Sequence, residues 1–466
     1  MKKSIVLFLF ILSCNLAFGA GMHLPGIGAR GTSMGGAYRA IADEPSGIFW
    51  NPAGIAFMEN SEVQVNGQLI LNEFSFEPAE TLLEIAHVIR SEEQQMLTKT
   101  TPTAHLFAVY SIPKIEKLKI GLGVYAPMGV GTAWNIMKDD DLDYITTING
   151  RAIIPFLPDS EYELTATETL PIKDFEGRIE TYTISPTSSY RFSDKLSVGV
   201  AALINISNFY LKMPTTDSTR MQNDTGLVFQ EGTMSGMSFG ANIGVIYKPF
   251  EHMRFGASVK IETDIEYEGD YEETIYKFYN EYFYTVTSGA VLGGGVVETP
   301  AVKAKLILPR PFIGGIGIAF DPLENLTIAA DFQYTRWSVI DTIRVISEAD
   351  SELAVMTLDW DNCTRISAGA EYRLDNYAIR CGIYFEPHPP VPEYQNLFIP
   401  DFNDNPAFTI GLGAIFGPVK IDLSGELEYF GEAIIEDFWL DNELMNLPGK
   451  YTGYVFDLIL SVGIEF

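Results

Sequence analysis

Apolar and polar residues alternate one for one along most of this chain. Between positions 253 and 267 the odd residues are Met253, Phe255, Ala257, Val259, Ile261, Thr263, Ile265 and Tyr267. The even ones are Arg254, Gly256, Ser258, Lys260, Glu262, Asp264 and Glu266. From 419 to 429, Val419, Ile421, Leu423, Gly425, Leu427 and Tyr429 alternate with Lys420, Asp422, Ser424, Glu426 and Glu428. Near the C-terminus, Tyr454, Phe456, Leu458, Leu460, Val462, Ile464 and Phe466 alternate with Asp457, Ser461, Gly463 and Glu465. A period of two marks strands with one apolar face. A soluble sandwich alternates too, so length decides. These runs reach roughly 11–17 residues, against about 5–6 for a globular strand. A membrane-spanning strand needs about 9–11 residues at a tilt near 45°. The apolar faces end in aromatics such as Tyr247, Tyr267, Tyr334, Phe385 and Tyr429, as the interfacial girdle of a membrane barrel does.

The pattern predicts strands near 61–76, 101–112, 117–128, 178–192, 195–212, 232–248, 253–269, 299–321, 325–338, 361–373, 377–387, 406–416, 418–432 and 451–466. Short connections alternate strictly with long ones, so every long loop falls on one side. Outer-membrane barrels have this arrangement of short periplasmic turns and longer extracellular loops. The expected fold is an all-β, 14-stranded antiparallel transmembrane β-barrel. Its weakest strand is 299–321, which carries Pro309 and Pro311; splitting it would break the even count. In the loop 79–97, Leu82, Leu83, Ile85, Ala86 and Ile89 predict a short amphipathic helix.

Composition narrows the function classes. Residues 1–19 read as a signal peptide, with Lys2 and Lys3 before an apolar stretch and Ala17-Phe18-Gly19 as the cleavage site. Cys14 in a loose lipobox is the alternative. No later stretch is apolar enough for a transmembrane helix. The net charge is −30 and the pI about 4.5, which argues against nucleic acid as a partner. Cys363 and Cys381 fall on opposite faces of neighbouring strands and are expected to be unbridged. Five scattered histidines offer no metal spacing, and no cofactor or enzyme motif is present. The acidic run 138–143 reads as a solvated turn rather than a Ca²⁺ loop.

Fourteen strands spaced about 4.8 Å apart and tilted about 40° enclose a backbone diameter of roughly 28 Å, which leaves a bore of roughly 15–18 Å between side chains. Such a bore would leak unless something fills it. Residues 20–60, ahead of the first strand, can supply a plug: they are rich in Gly and moderately apolar, unlike a disordered tail. Within them IFWNPAGIAF (48–57) is apolar yet interrupted. Asn51-Pro52 starts a turn, Pro52 suits the first position of a helix, and Gly54 offers positive φ. Phe49 and Trp50 supply apolar surface. The alternatives are a plain linker and, for the whole chain, an open polar porin or a surface interaction barrel.

The chain resembles the FadL-type outer-membrane transporters of long-chain fatty acids and other hydrophobic compounds (the OMPP1/FadL/TodX family). The resemblance lies in GARGTSMGGAYRAIADEPSGIFWNPAG (28–54), YAPMGVGTAW (125–134), FGANIGVIYKP (239–249), LILPRPFIGGIGIAFDP (306–322), YTRWS (334–338) and ISAGAEYRLDNYAIRCGIYFEPHPPVP (366–392), in order along the mature chain. It implies a hatch at 20–60, with Met22, Phe49, Trp50, Asn51, Pro52, Ala53 and Gly54 as its marked residues, inside a barrel at 61–466. It implies uptake by ligand capture, hatch movement and lateral release at a strand-three kink, here Gly121, Gly123 and Pro127. Ligand contacts would fall at Met128, Trp134 and Lys212. The partners implied are a hydrophobic ligand, outer-membrane lipid and, through Phe466, the barrel-assembly machinery, with both termini periplasmic. One departure stands out. The family's second carboxylate-binding cation has no counterpart in Met356-Thr357-Leu358-Asp359-Trp360, so fatty acid is a weaker expectation than hydrophobic compounds in general, and a neutral hydrocarbon needs no such partner.

Overall fold

The computed structural model describes residues 21–24, 26–80, 90–137, 172–215, 226–277, 295–399, 401–436 and 447–466. The expected signal peptide, the apolar residues of the 79–97 helix and the acidic run 138–143 lie outside the described residues.

Fourteen wall strands form one closed antiparallel sheet. They are β1 (Glu62–Pro78), β2 (Thr100–Ser111), β3 (Leu118–Trp134), β4 (Phe175–Ser193), β5 (Leu196–Thr215), β6 (Gly226–Phe250), β7 (Met253–Glu262 and Ile265–Lys277), β8 (Val302–Leu308 and Ile313–Leu323), β9 (Leu326–Thr335 and Thr342–Ser347), β10 (Glu352–Thr357 and Cys363–Leu374), β11 (Tyr377–Glu386), β12 (Asn405–Phe416), β13 (Val419–Ile435) and β14 (Gly449–Glu465). β14 pairs with β1 from Glu62↔Glu465 to Pro78↔Gly449. Closure gives every wall strand a neighbour on both sides over at least part of its length, as a sheet in hydrocarbon needs. The turns at 375–376 and 417–418 are tight, and Asp375 and Gly417 take positive φ there.

The two-residue period sets the faces. Val455, Asp457, Ile459 and Ser461 of β14 are buried toward the lumen, while Phe456, Leu458 and Leu460 face outward. Ala370 pairs with Cys381 and Thr335 with Cys363. The two thiols are free, one buried and one exposed.

Four strands are interrupted. The alternation predicts β7 and β8 unbroken, and it leaves 339–360 as a loop, where β9 and β10 instead continue past their breaks as Thr342–Ser347 and Glu352–Thr357. β7 to β10 break at 263–264, 309–312, 336–341 and 358–362, and the breaks are stitched sideways. Arg336 N donates to Phe312 O at 2.9 Å, Leu358 N to Asp341 O at 2.7 Å, and Arg310 N to Asp264 Oδ1 at 3.2 Å. Pro309 and Pro311 thus divide the 299–321 strand, yet both halves keep the same place in the wall, so the count survives. The break in β7 also corrects a face. Val259 and Ile261 point outward, but past Thr263-Asp264 the parity flips, so Ile265 and Tyr267 turn fully inward. Tyr267 is therefore no girdle aromatic; its hydroxyl meets Ser207 Oγ at 2.7 Å inside the barrel. An irregular pair of residues between ladders shifts register by one, and that reverses every later side chain.

Residues 21–60 pack against the inward face of the wall, and almost all of them are buried. Short turns of helix at Ala29–Ser33 and Gly47–Trp50 and a 3₁₀ turn at Gly54–Phe57 are the regular pieces. Wall glycines make the room. A Cβ on Gly199 or Gly244 would collide with Pro52 or Asn51, one on Gly256 with Arg39, and one on Gly411 with Ser33. Two local expectations change. Pro52 sits in the turn between helical pieces rather than opening one. Gly54 is absent from the positive-φ residues; glycine is needed there because a Cβ would strike the Ala42 carbonyl.

Candidate functional site

The N-terminal segment is fastened around the lumen by polar contacts that its turns make available. Ala29 N donates to Ser461 Oγ at 2.9 Å, and Ser46 N to Gln64 Oε1 at 3.1 Å. Arg30 grips Glu371 at 2.8 and 3.0 Å and Asp43 at 2.6 Å. Asn51 closes the interrupted stretch. Its amide donates to Arg39 O at 2.7 Å and Val245 O at 3.2 Å, and its carbonyl oxygen accepts from Ala53 N at 3.1 Å. Ser197 Oγ donates to Ala53 O at 2.9 Å, Asn242 to Phe49 O at 2.9 Å and Ser258 to Trp50 O at 3.1 Å. The backbone polar groups freed by the Asn-Pro interruption thus find partners on the wall, as buried groups must. Burial pushes the Glu44 carboxyl up to about 7, against the pull of Arg30. Ser46 Oγ donates to it at 2.5 Å.

β3 does not end at Pro127. Its ladder with β4 shifts register between Tyr125 and Met128 and continues to Trp134. Its ladder with β2 stops at Leu106↔Val124. Past that point β2 pairs with β1 alone, so a window separates β2 from β3. Proline lacks the N–H that the ladder needs, which fits a bulge at this place. The free edge of β3 is taken up from inside. Leu24 N donates to Pro127 O at 3.2 Å, and Gly129 N to Met22 O at 3.0 Å. Higher up, Leu97 N donates to Ala133 O at 2.7 Å. Gly121 faces Ile48 and Ile55 of the inner segment, and Gly123 faces Phe107.

Above the segment the lumen is an apolar chamber. Met22, Leu24, Met128, Val130, Trp134, Phe209, Tyr267, Leu306, Trp337, Trp360 and Phe430 belong to one buried cluster. The wall breaks aim Trp337 and Trp360 inward, their rings 5.2 Å apart edge to face. Trp337 in turn lies 4.6 Å from the His23 ring. Burial first, then Lys260 and Arg310, holds the His23 imidazole well below its usual range, so it is neutral. Between chamber and segment lies a cavity of about 70 Å³, bordered by His23, Phe49, Trp50, Pro127, Lys260 and Arg365 among others.

The structure gathers Met22, Phe49, Trp50, Pro127 and Met128 around this junction. Trp134 sits within the chamber, its indole donating to Leu397 O at 3.0 Å. Lys212 does not join them. It lies opposite Glu176 and Glu231 in the sheet and reaches Glu231 at 3.7 Å. The charged groups that do border the cavity were not legible as a set. Arg39, Lys260, Arg365 and Glu386 stand on four separate elements, and only their inward parity was readable.

Comparison with known proteins agrees with this geometry. The model of the family described as outer membrane protein transport protein (OMPP1/FadL/TodX) matches residues 10–140 and 173–424. The chain belongs to this family. Its members are outer-membrane transporter channels for hydrophobic compounds and not enzymes. An outer membrane protein of Neisseria meningitidis serogroup B is 21% identical over 430 residues, covering 86% of this chain and 84% of that one. Among solved structures, a Pseudomonas aeruginosa FadL homologue superposes with a TM-score of 0.72 at 16% identity, over 96% of this chain and 100% of the other. The P. putida toluene transporter TodX gives 0.68 at 15% identity, over 95% and 99%. At such identities the structures speak for the fold, and the family match speaks for transport across the bacterial outer membrane.

Proposed function

We propose that this chain takes up hydrophobic small molecules, long-chain fatty acids or neutral hydrocarbons, through a barrel that residues 20–60 keep plugged as a hatch. The observation that carries the reading is the backbone pairing of Met22 and Leu24 with the free edge of β3. The same short stretch lines the chamber floor and covers the window. A ligand in the chamber contacts Met22, Met128 and Trp134; withdrawal of Met22–Leu24 would unseal the window between β2 and β3. The ligand would then leave sideways into the membrane, so water never has to solvate it. Gly121, Gly123 and Pro127 weaken the ladder where the strand bends. That supports their role as the kink, with Asn51, Pro52, Ala53 and Gly54 anchoring the part of the hatch that stays. Fatty-acid and toluene transporters among similar proteins favour apolar cargo of either kind. The filled lumen disfavours an open polar porin. We place residues 1–19 as a cleaved signal peptide, both termini in the periplasm, outer-membrane lipid around the barrel, and Phe466 as the residue read by the assembly machinery.

The test is uptake of radiolabelled oleate and toluene by cells lacking their own channel, beside swelling of proteoliposomes in small sugars. Uptake of either apolar compound without sugar permeation supports the reading. Sugar permeation without apolar uptake overturns it in favour of a porin.

A further inference from the structure

A buried imidazole stands where β2 and β3 part. We infer that His105, oriented by Gln68, is the side-chain latch of the window between β2 and β3, and that it makes closure of the window depend on the docked hatch. The inference rests on the uptake reading just given and names the residues that position its lateral exit.

The ladder of β2 with β3 stops at Leu106↔Val124, and His105 is the next residue of β2. On the other side of β3, Ala126 and Pro127 fall in the register shift and have no partner residue in the ladder with β4. Here a side chain of β2, in place of its backbone, reaches β3. Ala126 N donates to His105 Nδ1 at 3.3 Å. Accepting at Nδ1 places the proton of the neutral ring on Nε2. Nε2 lies 2.7 Å from Gln68 Oε1 and donates to it. The Gln68 amide nitrogen is then left for two acceptors, Asp457 Oδ2 at 2.7 Å and the Gly26 carbonyl at 3.2 Å. Every donor in this chain meets an acceptor, and turning over either the ring or the amide would set like against like. In the β1–β2 ladder Gln68 faces Thr103 and Asn66 faces His105, so Gln68 and His105 are diagonal neighbours on one face, within reach of long side chains.

The N-terminal segment is thus tied to one bulge twice. Leu24 N donates directly to Pro127 O at 3.2 Å. Gly26 O is tied through Gln68 and His105 to the N–H of Ala126. Leu24 and Gly26 are two residues apart in the chain, so withdrawing this stretch removes both ties together. Gln68 then loses one of its two acceptors, its hold on the ring relaxes, and β3 is freed from β2 at the window. Asp457 keeps Gln68 on the wall, so the relay re-forms when the segment returns. Ala126, His105 and Gln68 are all buried, where an unmade hydrogen bond is expensive. That cost favours the two closed contacts forming together and opening together.

The experiment uses the full chain in lipid vesicles, with Cys363→Ser and Cys381→Ser as background and Thr103→Cys as reporter. Thr103 is buried toward the lumen on β2, beyond the last β2–β3 pair, so a maleimide dissolved in the bilayer reaches it when the window opens. Hydrogen exchange at residues 21–28 reads the N-terminal segment in the same samples. Heat-modified mobility in gels confirms that each barrel is folded. His105→Leu removes both ring nitrogens, Gln68→Leu cuts the relay one step nearer Gly26, and His105→Gln offers an amide in place of the ring. We expect labelling and exchange both to rise by about tenfold in each leucine variant, and to stay within about threefold of wild type in His105→Gln. The double leucine variant should rise no further than either single one, because the two residues act as one unit. Unchanged labelling in both leucine variants overturns the inference. Equal effects of His105→Leu and His105→Gln overturn it as well, since they mark packing alone, and so do multiplied effects in the double variant. Neither readout uses a ligand, so wild type that takes up neither oleate nor toluene overturns the uptake reading and not the latch.

Discussion

The wall of β7 to β10 reverses its polarity at the line of breaks. Below it, Val259, Ile261, Ile316, Ile318, Phe332 and Ile366 face outward, while Ser258, Asp331, Ser367 and Glu371 face in. Above it, Ile265, Tyr267, Leu306, Leu308, Val345 and Met356 face in. The outward face there carries charges in exposed pairs: Lys303–Asp270 at 2.7 Å, Lys305–Glu268 at 3.3 Å and Arg344–Glu352 at 2.5 Å. Charges cannot face hydrocarbon cheaply, so the breaks mark one edge of the bilayer. The lower half is a membrane barrel with a polar interior against which residues 26–58 dock. The upper half is a water-exposed rim with an interior fit for apolar cargo. One sheet serves two solvents because its strands shift register where the solvents meet.

The largest expected effect removes what separates the two halves. Deleting residues 20–60 behind an intact signal should leave a folded barrel with a bore of roughly 15–18 Å and an open channel in planar bilayers. Binding of apolar ligand should fall with it, since the chamber loses its floor. Asn51→Ala with Pro52→Ala should give a milder rise in conductance, because the Arg39 and Val245 carbonyls lose their donor. A deletion as electrically silent as wild type would reduce the segment to a linker.

Polarity reversal is sharpened by placing one substitution on either side of the break. Ile318 and Ile307 both face outward, from β8. Ile318→Lys sits near the middle of the spanning half and should cost about 2–4 kcal/mol in urea unfolding from lipid vesicles. Ile307→Lys, among the exposed pairs of the rim, should cost about 0–1. Equal costs would mean that the bilayer edge lies elsewhere. For the same reason Leu458→Arg should cost about 2–4 kcal/mol. The lumenal Asp457→Arg is not the cheap control that alternation alone suggests: Asp457 is buried and accepts from Gln68 at 2.7 Å.

Glycine-to-alanine changes probe the docking of the N-terminal segment on the wall. Gly199→Ala puts a methyl into the Pro52 backbone and should destabilise by about 1–3 kcal/mol through overpacking. Gly67→Ala meets nothing within 4 Å and should be nearly neutral. The smallest effect is electrostatic. Glu44 has its folded pKa raised from 4.5 to about 7, so the native state holds the proton more tightly than the unfolded one. Its contribution is fully present below pH 4.5 and is lost as the pH rises through 7. Once the base-catalysed intrinsic exchange rate is divided out, protection of the amides across residues 26–58 should therefore be higher at pH 5 than at pH 8. Glu44→Gln should flatten that difference, and an unchanged pH dependence in this variant would exclude Glu44 as its source.

Much of the fold was legible in the sequence because a lipid-facing strand has no freedom in its outward residues. Phe456, Leu458 and Leu460 had to be apolar and alternate, and the pattern named their face correctly. Pro309 and Pro311 were readable as a weak point, but not as one of four aligned breaks. Thr263-Asp264 gave no such signal, so Tyr267 was placed on the wrong side. A register shift costs one residue in the chain and changes no composition. At the site, Phe49, Trp50 and Met128 were readable through resemblance, whereas Arg39, Lys260 and Arg365 were not. Each looks like one more inward polar residue until the wall brings the three together.

By itself the sequence determined a closed even-stranded barrel, the face of most wall residues and a segment too apolar to be a tail. These follow from local chemistry, because solvent on each side dictates residue type position by position. Only the tertiary structure decided where the wall changes solvent, that Met22 and Leu24 pair with the free edge of β3, and that three cations from three separate elements border one cavity. Those facts depend on which strands lie opposite one another across the lumen, and alternation along a chain carries no record of what stands on the far side.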